Sequence, residues 1–399
     1  MSSSNSKSTL LLNARIVTPN RIIERGTVVI EAGRIARVIQ GEASEVGGDS
    51  LRYDLAGLRL FPGFIDVHIH GAVGVDTMEA SIEDLLRVSR YLANQGVTAW
   101  LPTLVPASTE QYQRAIDSIT TLMQTQAEQR DQQGQARALG VHYEGPFVNS
   151  EQCGALHREH FRTLSSGADI DALPALSGRE AVQMITLAPE VTGGVALVRE
   201  LARRGWIISI GHTRADFALL DQAYEAGARH MTHFMNAMPP LHHRSPGPVG
   251  WGLSRDDVTC DLIADGVHLD PLMLRLLLKV KSPTRLALIS DAIAAAGLGD
   301  GDYEIWGETI SVANGRTRNA RGSIAGSVIS MLDAVRMMLS LGTSEVDVAQ
   351  MAATNPARLL HIEHECGSIE AGKRADLVGL DQDGKVRFTM IGGVSGPGT

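Results

Sequence analysis

Residues 64–70 read FIDVHIH, an apolar run that ends in two histidines separated by one residue. Alternate residues of a β-strand point to the same face, so His68 and His70 would present both imidazoles to one side. Two neutral imidazoles on one face are typical ligands for a shared divalent ion. Alone, such a pair is only moderately specific for a metal site, so the other strands of the chain have to be compared with it.

Apolar runs of similar length recur along the chain, and amphipathic helices are predicted between them. The helical segment at 81–96 has ordinary end signals, with a capping-box pattern at Ser81 and Asp84 and a final Gly96. Alternation of this kind predicts an α/β protein with a parallel sheet. Eight nearly continuous apolar strands, with no GxGxxG after any of them, favour a closed (β/α)₈ TIM barrel over an open doubly wound sheet. The runs are FIDVHIH, VTAWLPTLV, ALGVHYEGP, MITLAPE, WIISIGHT, HMTHFMNAM, CDLIADGV and RLALISDA.

Both ends of the chain have a different pattern, in which short β-branched runs are separated by turns. The first set lies in residues 10–60, and the second lies in GSIEAGKRADLVGLD and KVRFTMIGG. We therefore predict that the two termini build one small β-sandwich domain together. Its predicted limits are 1–61 and 364–399, and those of the barrel are 62–363.

The composition argues against several kinds of partner. The net charge is −9 and no Lys/Arg-rich run occurs, so binding to nucleic acid or to a membrane surface has no electrostatic support. No apolar run reaches the roughly 20 residues that span a bilayer, and Met1–Thr9 lacks the pattern of a secretory signal. The three cysteines show no CxxC spacing and no disulfide framework. We expect a cytoplasmic protein that acts on a small molecule.

Polar residues close five of the eight predicted strands, at the end where active sites of such barrels form. Besides the histidine pair on the first strand, they are Glu144, His212, His233 and Asp291. One such histidine by itself is more often a hydrogen-bonded core or surface residue than a ligand. The whole set at one mouth, without cysteine, indicates one or two divalent ions, Zn²⁺ or Fe²⁺, with Glu144 able to bridge two of them.

The same segments resemble motifs of the N-acetylglucosamine-6-phosphate deacetylases in the amidohydrolase superfamily. The resemblance covers nearly the whole chain and rests on PGFIDVHIHG, HYEGPF, IGHT, THFMNAM, LHHRSPG, DGVH and SDA. The segment Gly367–Asp381, of the form GxIxxGxxADLVxLD, resembles the one that closes the sheet domain of this superfamily. The resemblance implies a homodimer that hydrolyses the acetamide of N-acetyl-D-glucosamine 6-phosphate to D-glucosamine 6-phosphate and acetate.

The resemblance also divides the metal ligands into two groups. Glu144, His212 and His233 would hold the metal common to these deacetylases, whereas His68 and His70 would add a second site found only in some members. The carboxylate assignment has independent support, because the chain has no lysine between Lys7 and Lys279. The middle strands therefore cannot supply the carboxylated lysine that bridges ions in hydantoinase-like and dihydroorotase-like relatives.

Two further residues are predicted to act in catalysis. Asp291, at the end of the last strand, is placed to take a proton from the attacking water and to return it to the leaving amine. An aspartate at such a position more often caps a helix, and the resemblance is what favours the catalytic role. By resemblance, His268 contacts the acetyl carbonyl, where a hydrogen bond would strengthen as negative charge develops.

A set of substrate contacts around the mouth is implied in the same way. Arg244 would bind the phosphate, for which a guanidinium fork is well suited, although a lone arginine between turn residues is more commonly a solvated charge. The rim segment 324–326 precedes a predicted helix, and its amides could meet the ligand. The implied contacts are Ala155, Leu156, His157, Asn236, Ala237, Arg244, His268, Ile324, Ala325 and Gly326.

One segment departs from the family pattern. Many of these deacetylases have Gly-x-His after the Glu-Gly-Pro motif, whereas this chain reads Cys153-Gly154-Ala155-Leu156-His157, with the histidine one residue late. If the loop keeps the common path, Leu156 takes the contact position and a hydroxyl-binding imidazole is lost, unless His157 supplies it from a shifted turn. N-acetylgalactosamine 6-phosphate and an N-acyl amino acid therefore remain alternative substrates. A non-enzymatic interaction protein with this fold is the third alternative.

Overall fold

The computed structural model describes residues 8–41, 50–129, 134–176, 178 and 181–396. The Ser-rich start of the chain, up to residue 7, lies outside them. Within these ranges the strands are β1 (Thr9–Val17), β2 (Ile22–Glu31), β3 (Arg34–Gln40), β4 (Leu51–Asp54), β5 (Arg59–Pro62), β6 (Phe64–Ile69), β7 (Gly71–Ala72), β8 (Val75–Asp76), β9 (Val97–Leu104), β10 (Arg137–Ala138), β11 (Gly140–Glu144), β12 (Val182–Leu187), β13 (Ile207–Ile210), β14 (His230–Met231), β15 (Thr259–Ile263), β16 (Leu286–Ile289), β17 (Gly301–Ile305), β18 (Glu308–Ala313), β19 (Arg316–Arg318), β20 (Leu377–Leu380), β21 (Val386–Ile391) and β22 (Val394–Ser395).

The helices of the described ranges lie mainly between the strands of the middle region. They are α1 (Ile82–Asn94), α2 (Thr109–Glu128), α3 (Gly167–Asp171), α4 (Gly194–Arg203), α5 (Phe217–Ala226), α6 (Gly247–Ser254), α7 (Pro271–Val280), α8 (Met331–Ser340), α9 (Glu345–Ala349) and α10 (Asn355–Leu359). Short 3₁₀ helices occupy Ser150–Gln152, Arg158–His160 and Pro283–Arg285, and a π-helical turn at Gln350–Thr354 joins α9 to α10. No helix in the described part of the chain is long and apolar enough to cross a membrane.

A parallel barrel forms the middle of the chain, as predicted. Its neighbouring strands, in order, are β6, β9, β11, β12, β13, β14, β15 and β16. Backbone hydrogen bonds join the last strand to the first, because Asp291 N donates to His68 O at 2.9 Å and His70 N donates to Ala292 O at 2.8 Å. All eight predicted strand segments therefore contribute to the barrel, and their ends meet at one mouth.

The barrel strands read as continuous apolar runs because they are covered on both faces. All eight residues of β9 are buried, for example. On the outside, α1 begins at the predicted capping box of Ser81 and Asp84 and buries Leu85, Val88 and Leu92 against the sheet.

Both termini contribute to one eight-stranded sheet. The order is β22, β21, β20, β5, β1, β2, β3, with β4 paired to β1. The two ends of the chain meet where β5 and β20 run antiparallel, with Pro62 opposite Leu377. This sheet has its own buried cluster, which includes Leu11, Ile16 and Phe388. The predicted limits of 1–61 with 364–399 and of 62–363, and the packing of the sheet as a sandwich, stay predictions.

A three-stranded antiparallel sheet of β17, β18 and β19 follows the last barrel strand and was not predicted. Ile305, Ile310 and Val312 on its inner face pack with Ile293 and Ala295, which lie just after the barrel strand β16. This packing holds the turn between β17 and β18 beside the mouth of the barrel.

Candidate metal centre

The predicted ligands converge at the carboxyl ends of the barrel strands, with Glu144 at their centre. Its Oε1 lies 3.0 Å from His212 Nε2 and 3.0 Å from His233 Nε2. On the other side, Glu144 Oε1 is 3.6 Å from His68 Nε2, and Oε2 is 3.4 Å from His70 Nε2. Two three-residue groups with metal-ligand spacing result, and Glu144 belongs to both. This is the arrangement expected of a carboxylate that bridges two ions.

Asp291 approaches the same cluster from the last strand. Its Oδ1 is 3.4 Å from His68 Nε2 and 3.3 Å from His70 Nε2. At 6% exposure it is the most accessible of the six candidates, whereas His68 is fully buried. Asp291 therefore contacts the cluster while it still faces the space from which a ligand would enter.

The backbone at the mouth has an unusual conformation that aims these side chains. His212, His233 and Asp291 each follow their strand by two positions and have φ values of 48°, 32° and 51°. Residues other than glycine adopt this left-handed region rarely, at a cost on the order of 1–3 kcal/mol, and they cluster at functional sites. The same sharp turn on three strands brings three side chains to one level of the barrel.

The protonation states fit a cation better than a network of hydrogen bonds. Burial would raise the pKa of Glu144, but the surrounding imidazoles hold it well below its usual range. Burial lowers the pKa of His70, but the carboxylates of Asp291 and Glu144 outweigh this and raise it to about 10. His68 remains neutral because burial lowers its pKa well below the usual value. The carboxylates of Glu144 and Asp291 around His70 thus favour positive charge at the position that a divalent ion would take.

The imidazole nitrogen atoms also lie close enough to one another to share an ion. Nε2 of His68 and Nε2 of His70 are 3.1 Å apart, and so are the Nε2 atoms of His212 and His233. Ring nitrogens at this separation need a proton or an ion between them. Imidazole nitrogens and carboxylate oxygens without thiolate suit Zn²⁺ or Fe²⁺, so the residues present fit the predicted divalent metal.

The imidazole rings of the predicted metal ligands are positioned by further hydrogen bonds and ring contacts. His212 Nδ1 donates to Gln152 O at 2.7 Å, which leaves Nε2 for an ion. His142 lies beneath His68, with ring centroids 4.7 Å apart. Its Nδ1 donates to Val67 O at 2.9 Å and its Nε2 accepts from the Thr186 hydroxyl at 2.8 Å. Burial lowers the pKa of His142 to about 3, so it supports the cluster as a neutral ring.

A cavity of about 150 Å³ opens above the cluster. His268 lies in its wall, and its Nδ1 is 2.7 Å from Asp265 Oδ2, which leaves Nε2 available to a ligand. Seven of the ten predicted substrate contacts line this cavity, namely Ala155, Leu156, Asn236, Ala237, His268, Ile324 and Gly326.

The loop that departs from the family pattern presents its leucine to the cavity. Leu156 is part of the lining, whereas His157 is not. His157 Nε2 lies 3.7 Å from Glu308 Oε1, and its Nδ1 lies 3.6 Å from Glu159 Oε1. Leu156 therefore faces the cavity, and His157 lies outside it beside two carboxylates.

Two other predicted contacts also lie away from the lining. Ala325 is fully buried behind it. Arg244 is exposed on the loop after Asn236, with its Nη1 3.0 Å from His243 Nε2. Conversely, Gly154 and Trp306 line the cavity and were missed. Trp306 follows an alternating segment, residues 301–305, and precedes a glycine, which is the sequence pattern of a hairpin turn and could have located it.

The fold and this set of ligands define the class of protein. The chain belongs to the amidohydrolase family, whose model matches residues 59–395. Within that family it is similar to the N-acetylglucosamine-6-phosphate deacetylase of Bacillus subtilis, with 36% identity over 97% of this chain and 96% of that protein. It is also similar to the N-acetylgalactosamine-6-phosphate deacetylase of Escherichia coli O157:H7, with 37% identity over 84% and 86% of the two chains.

A solved structure extends the comparison to the fold. A mutant N-acetyl-D-glucosamine-6-phosphate deacetylase from Mycobacterium smegmatis, in complex with N-acetyl-D-glucosamine-6-phosphate, superposes with a TM-score of 0.87. Its identity to this chain is 30%, over 98% of this chain and 99% of that one. The resemblance to N-acetylglucosamine-6-phosphate deacetylases that the motifs predicted is confirmed.

Proposed function

We propose that this protein hydrolyses the acetamide of N-acetyl-D-glucosamine 6-phosphate to D-glucosamine 6-phosphate and acetate. The observation that carries the proposal is the convergence of Glu144, four imidazoles and Asp291 beneath a small cavity. The sugar phosphate bound in the Mycobacterium smegmatis relative supports the choice of substrate. Retention of every ligand and of Asp291 argues against the non-enzymatic alternative.

The metal part of the proposal is one or two divalent ions, Zn²⁺ or Fe²⁺. Glu144, His212 and His233 would hold one ion, and His68 and His70 would hold a second with the shared carboxylate and Asp291. When bound, such an ion polarises the amide carbonyl and makes water more acidic.

The protein's own residues account for the remaining chemistry. Asp291 accepts a proton from the attacking water and passes it to the nitrogen of the departing amine. His268, oriented by Asp265, donates a hydrogen bond to the carbonyl oxygen as negative charge develops there. Asn236 and the backbone of Ala237 hold the sugar, and Arg244 binds its phosphate.

A second candidate substrate is the galactosamine epimer. Leu156 lines the cavity where the resemblance leads us to expect a hydroxyl-binding histidine, and the Escherichia coli relative is named for the galactosamine compound. The loss of one imidazole weakens the argument for either epimer at that hydroxyl. We keep the glucosamine compound first because most of the similar curated proteins carry that name.

The proposal includes a cytoplasmic homodimer. Three free and buried cysteines, Cys153, Cys260 and Cys366, suit a reducing compartment. Light scattering on the purified protein would measure the oligomeric state, and a monomer at micromolar concentration would remove that part of the proposal.

A panel of N-acyl substrates tests the function. Purified protein would be stripped with a chelator, reloaded with Zn²⁺ or Fe²⁺, and assayed for acetate release with metal content measured in parallel. We expect the highest kcat/KM on N-acetylglucosamine 6-phosphate and none without metal. A higher value on the galactosamine compound would select the second candidate, and a preference for N-acyl amino acids would overturn both. Metal-loaded protein that releases acetate from no substrate would favour the interaction-protein alternative.

A further inference from the structure

The turn between β17 and β18 places a large aromatic residue where a small or polar one is expected. Trp306 and Gly307 form a two-residue loop in which Ile305 pairs with Glu308, and both turn residues have positive φ, of 54° and 74°. Such type I′ turns strongly favour asparagine or aspartate before glycine. A bulky aromatic residue in the left-handed region is uncommon and signals a constraint from its surroundings.

The indole extends from this turn over the metal ligands. Its ring lies 5.3 Å from the ring of His70, at 84°, in an edge-on contact. Trp306 also lines the cavity together with Glu144 and Asp291. Its buried Nε1 makes no well-aligned hydrogen bond to any residue that the structure describes, although the Asp76 carboxylate lies close by. The indole is therefore not held there by a satisfied polar contact of the hairpin.

The hairpin of β17 and β18 is connected to both sides of the mouth. Its inner face packs on residues 293–295, shortly after Asp291. On the opposite side, Arg321 Nη2 donates to Ala155 O at 2.9 Å, and Asn319 Nδ2 donates to Glu308 Oε1 at 3.3 Å. The first bond joins the segment after β19 to the loop that carries Ala155 and Leu156, and the second joins that segment to β18, so the turn with the indole is connected to this loop.

The distribution of lining residues indicates what the indole faces. Asn236 and His268 supply the polar groups of the cavity wall, and the proposed function assigns them to the sugar and the amide carbonyl. The apolar lining consists of Ala155, Leu156, Ala237, Ile324 and Trp306. Of these, the structure shows a ring contact with a predicted metal ligand for Trp306. Trp306 is therefore the apolar residue of this lining whose contact with a predicted metal ligand the structure establishes.

We propose that Trp306 sets the length of the acyl group, so that the indole admits an acetyl group and excludes longer N-acyl chains. The inference rests on the proposed function, since it concerns the acyl side of the same amide. A rigid wall can discriminate here because one extra methylene in a closely fitting pocket changes kcat/KM by about 10–200-fold.

The decisive variant is Trp306→Asn, because asparagine before glycine suits the type I′ turn and removes the indole. We expect a melting temperature no lower than that of the parent and unchanged metal content. The ratio of kcat/KM for N-butyrylglucosamine 6-phosphate to that for the N-acetyl compound should rise at least about tenfold. Trp306→Ala should move the ratio in the same direction with some loss of stability, and Trp306→Phe should keep the ratio near that of the parent.

A matched control changes the same hairpin without touching the cavity. Thr309 is exposed and bonds Glu304 across the strands, so Thr309→Ala should leave the ratio unchanged. An unchanged ratio in folded, metal-loaded Trp306→Asn and Trp306→Ala would overturn the inference and leave Trp306 a structural residue. If the parent released no acetate from any hexosamine phosphate, the proposed function would fail instead. Parent activity on the acetyl compound therefore separates the two results.

Discussion

The barrel buries histidine and carboxylate side chains at both of its ends, and only one end has the features of an active site. At the mouth, Glu144 meets four imidazoles. At the base, His230 Nε2 lies 2.9 Å from Asp261 Oδ2, and both side chains are fully buried. The angles of this contact fall outside those of a normal hydrogen bond. Neither residue belongs to a group of three metal-ligand candidates in the described part of the chain.

Cavity size does not identify the end with the active site, because the larger cavity lies at the base. His230 lines a cleft of about 500 Å³ at the base, whereas the cavity at the mouth measures about 150 Å³. Two other features do distinguish them. At the mouth, more than two potential metal-ligand atoms converge on one point. The residues that follow the strand ends there adopt left-handed backbone conformations. The chemistry of the converging groups therefore identifies the site, because several ligand atoms around one point suit an ion, whereas His230 and Asp261 form only a two-residue contact.

Exchanging a carboxylate for an amide at the mouth should have the largest effect. Asp291→Asn keeps the shape of the side chain but removes its ability to accept a proton, and general acid–base catalysis typically contributes about 10²- to 10⁴-fold. We expect kcat to fall by that factor while metal content and melting temperature stay near those of the parent. Assays would combine acetate release with metal analysis. A loss of bound metal equal to the loss of activity would show that Asp291 acts mainly as a ligand.

The same exchange at the base should affect stability instead. Asp261→Asn replaces the buried carboxylate 2.9 Å from His230 Nε2 by an amide, and a buried polar group that loses its partner costs about 1–3 kcal/mol. We expect a decrease of about 1–3 kcal/mol in the free energy of unfolding. Chemical denaturation would measure it. kcat per metal-loaded molecule should be unchanged, and a large fall in kcat would mean that the base is coupled to the chemistry.

The two ends also differ in how far the sequence predicts them. The strand ends were predictable because apolar strands with period-two geometry deliver their last polar residues to one edge. The β17–β19 sheet was missed although its first turn has a local sequence pattern, and its position at the mouth was not predictable because the contact joins Arg321 to Ala155, which are distant in the chain. His230 and Asp261 give no signal beyond single polar residues near the start of apolar runs. Their pairing depends on the register between β14 and β15, which the sequence does not specify.

Arg244 is predicted to bind the substrate phosphate, and it belongs to the mouth but lies outside the cavity lining. A charge-assisted hydrogen bond contributes about 1.5–3 kcal/mol, so Arg244→Ala should raise KM for N-acetylglucosamine 6-phosphate by about 10- to 100-fold. KM for unphosphorylated N-acetylglucosamine should change little. Steady-state kinetics on both sugars would separate the effects. Equal activity of the parent on both sugars would remove the phosphate from the proposal altogether.

The smallest effect is expected within the mouth itself, at the histidine that falls one residue late. His157 lies outside the cavity and contacts Glu308 and Glu159, and partly exposed ion pairs of this kind contribute about 0.2–1 kcal/mol. His157→Ala should therefore change kcat/KM by less than about fivefold. Leu156→Ala, one residue earlier, should change it more because Leu156 lines the cavity. If His157→Ala had the larger effect and shifted the preference between the two sugar epimers, the loop would have to turn His157 inward when substrate binds.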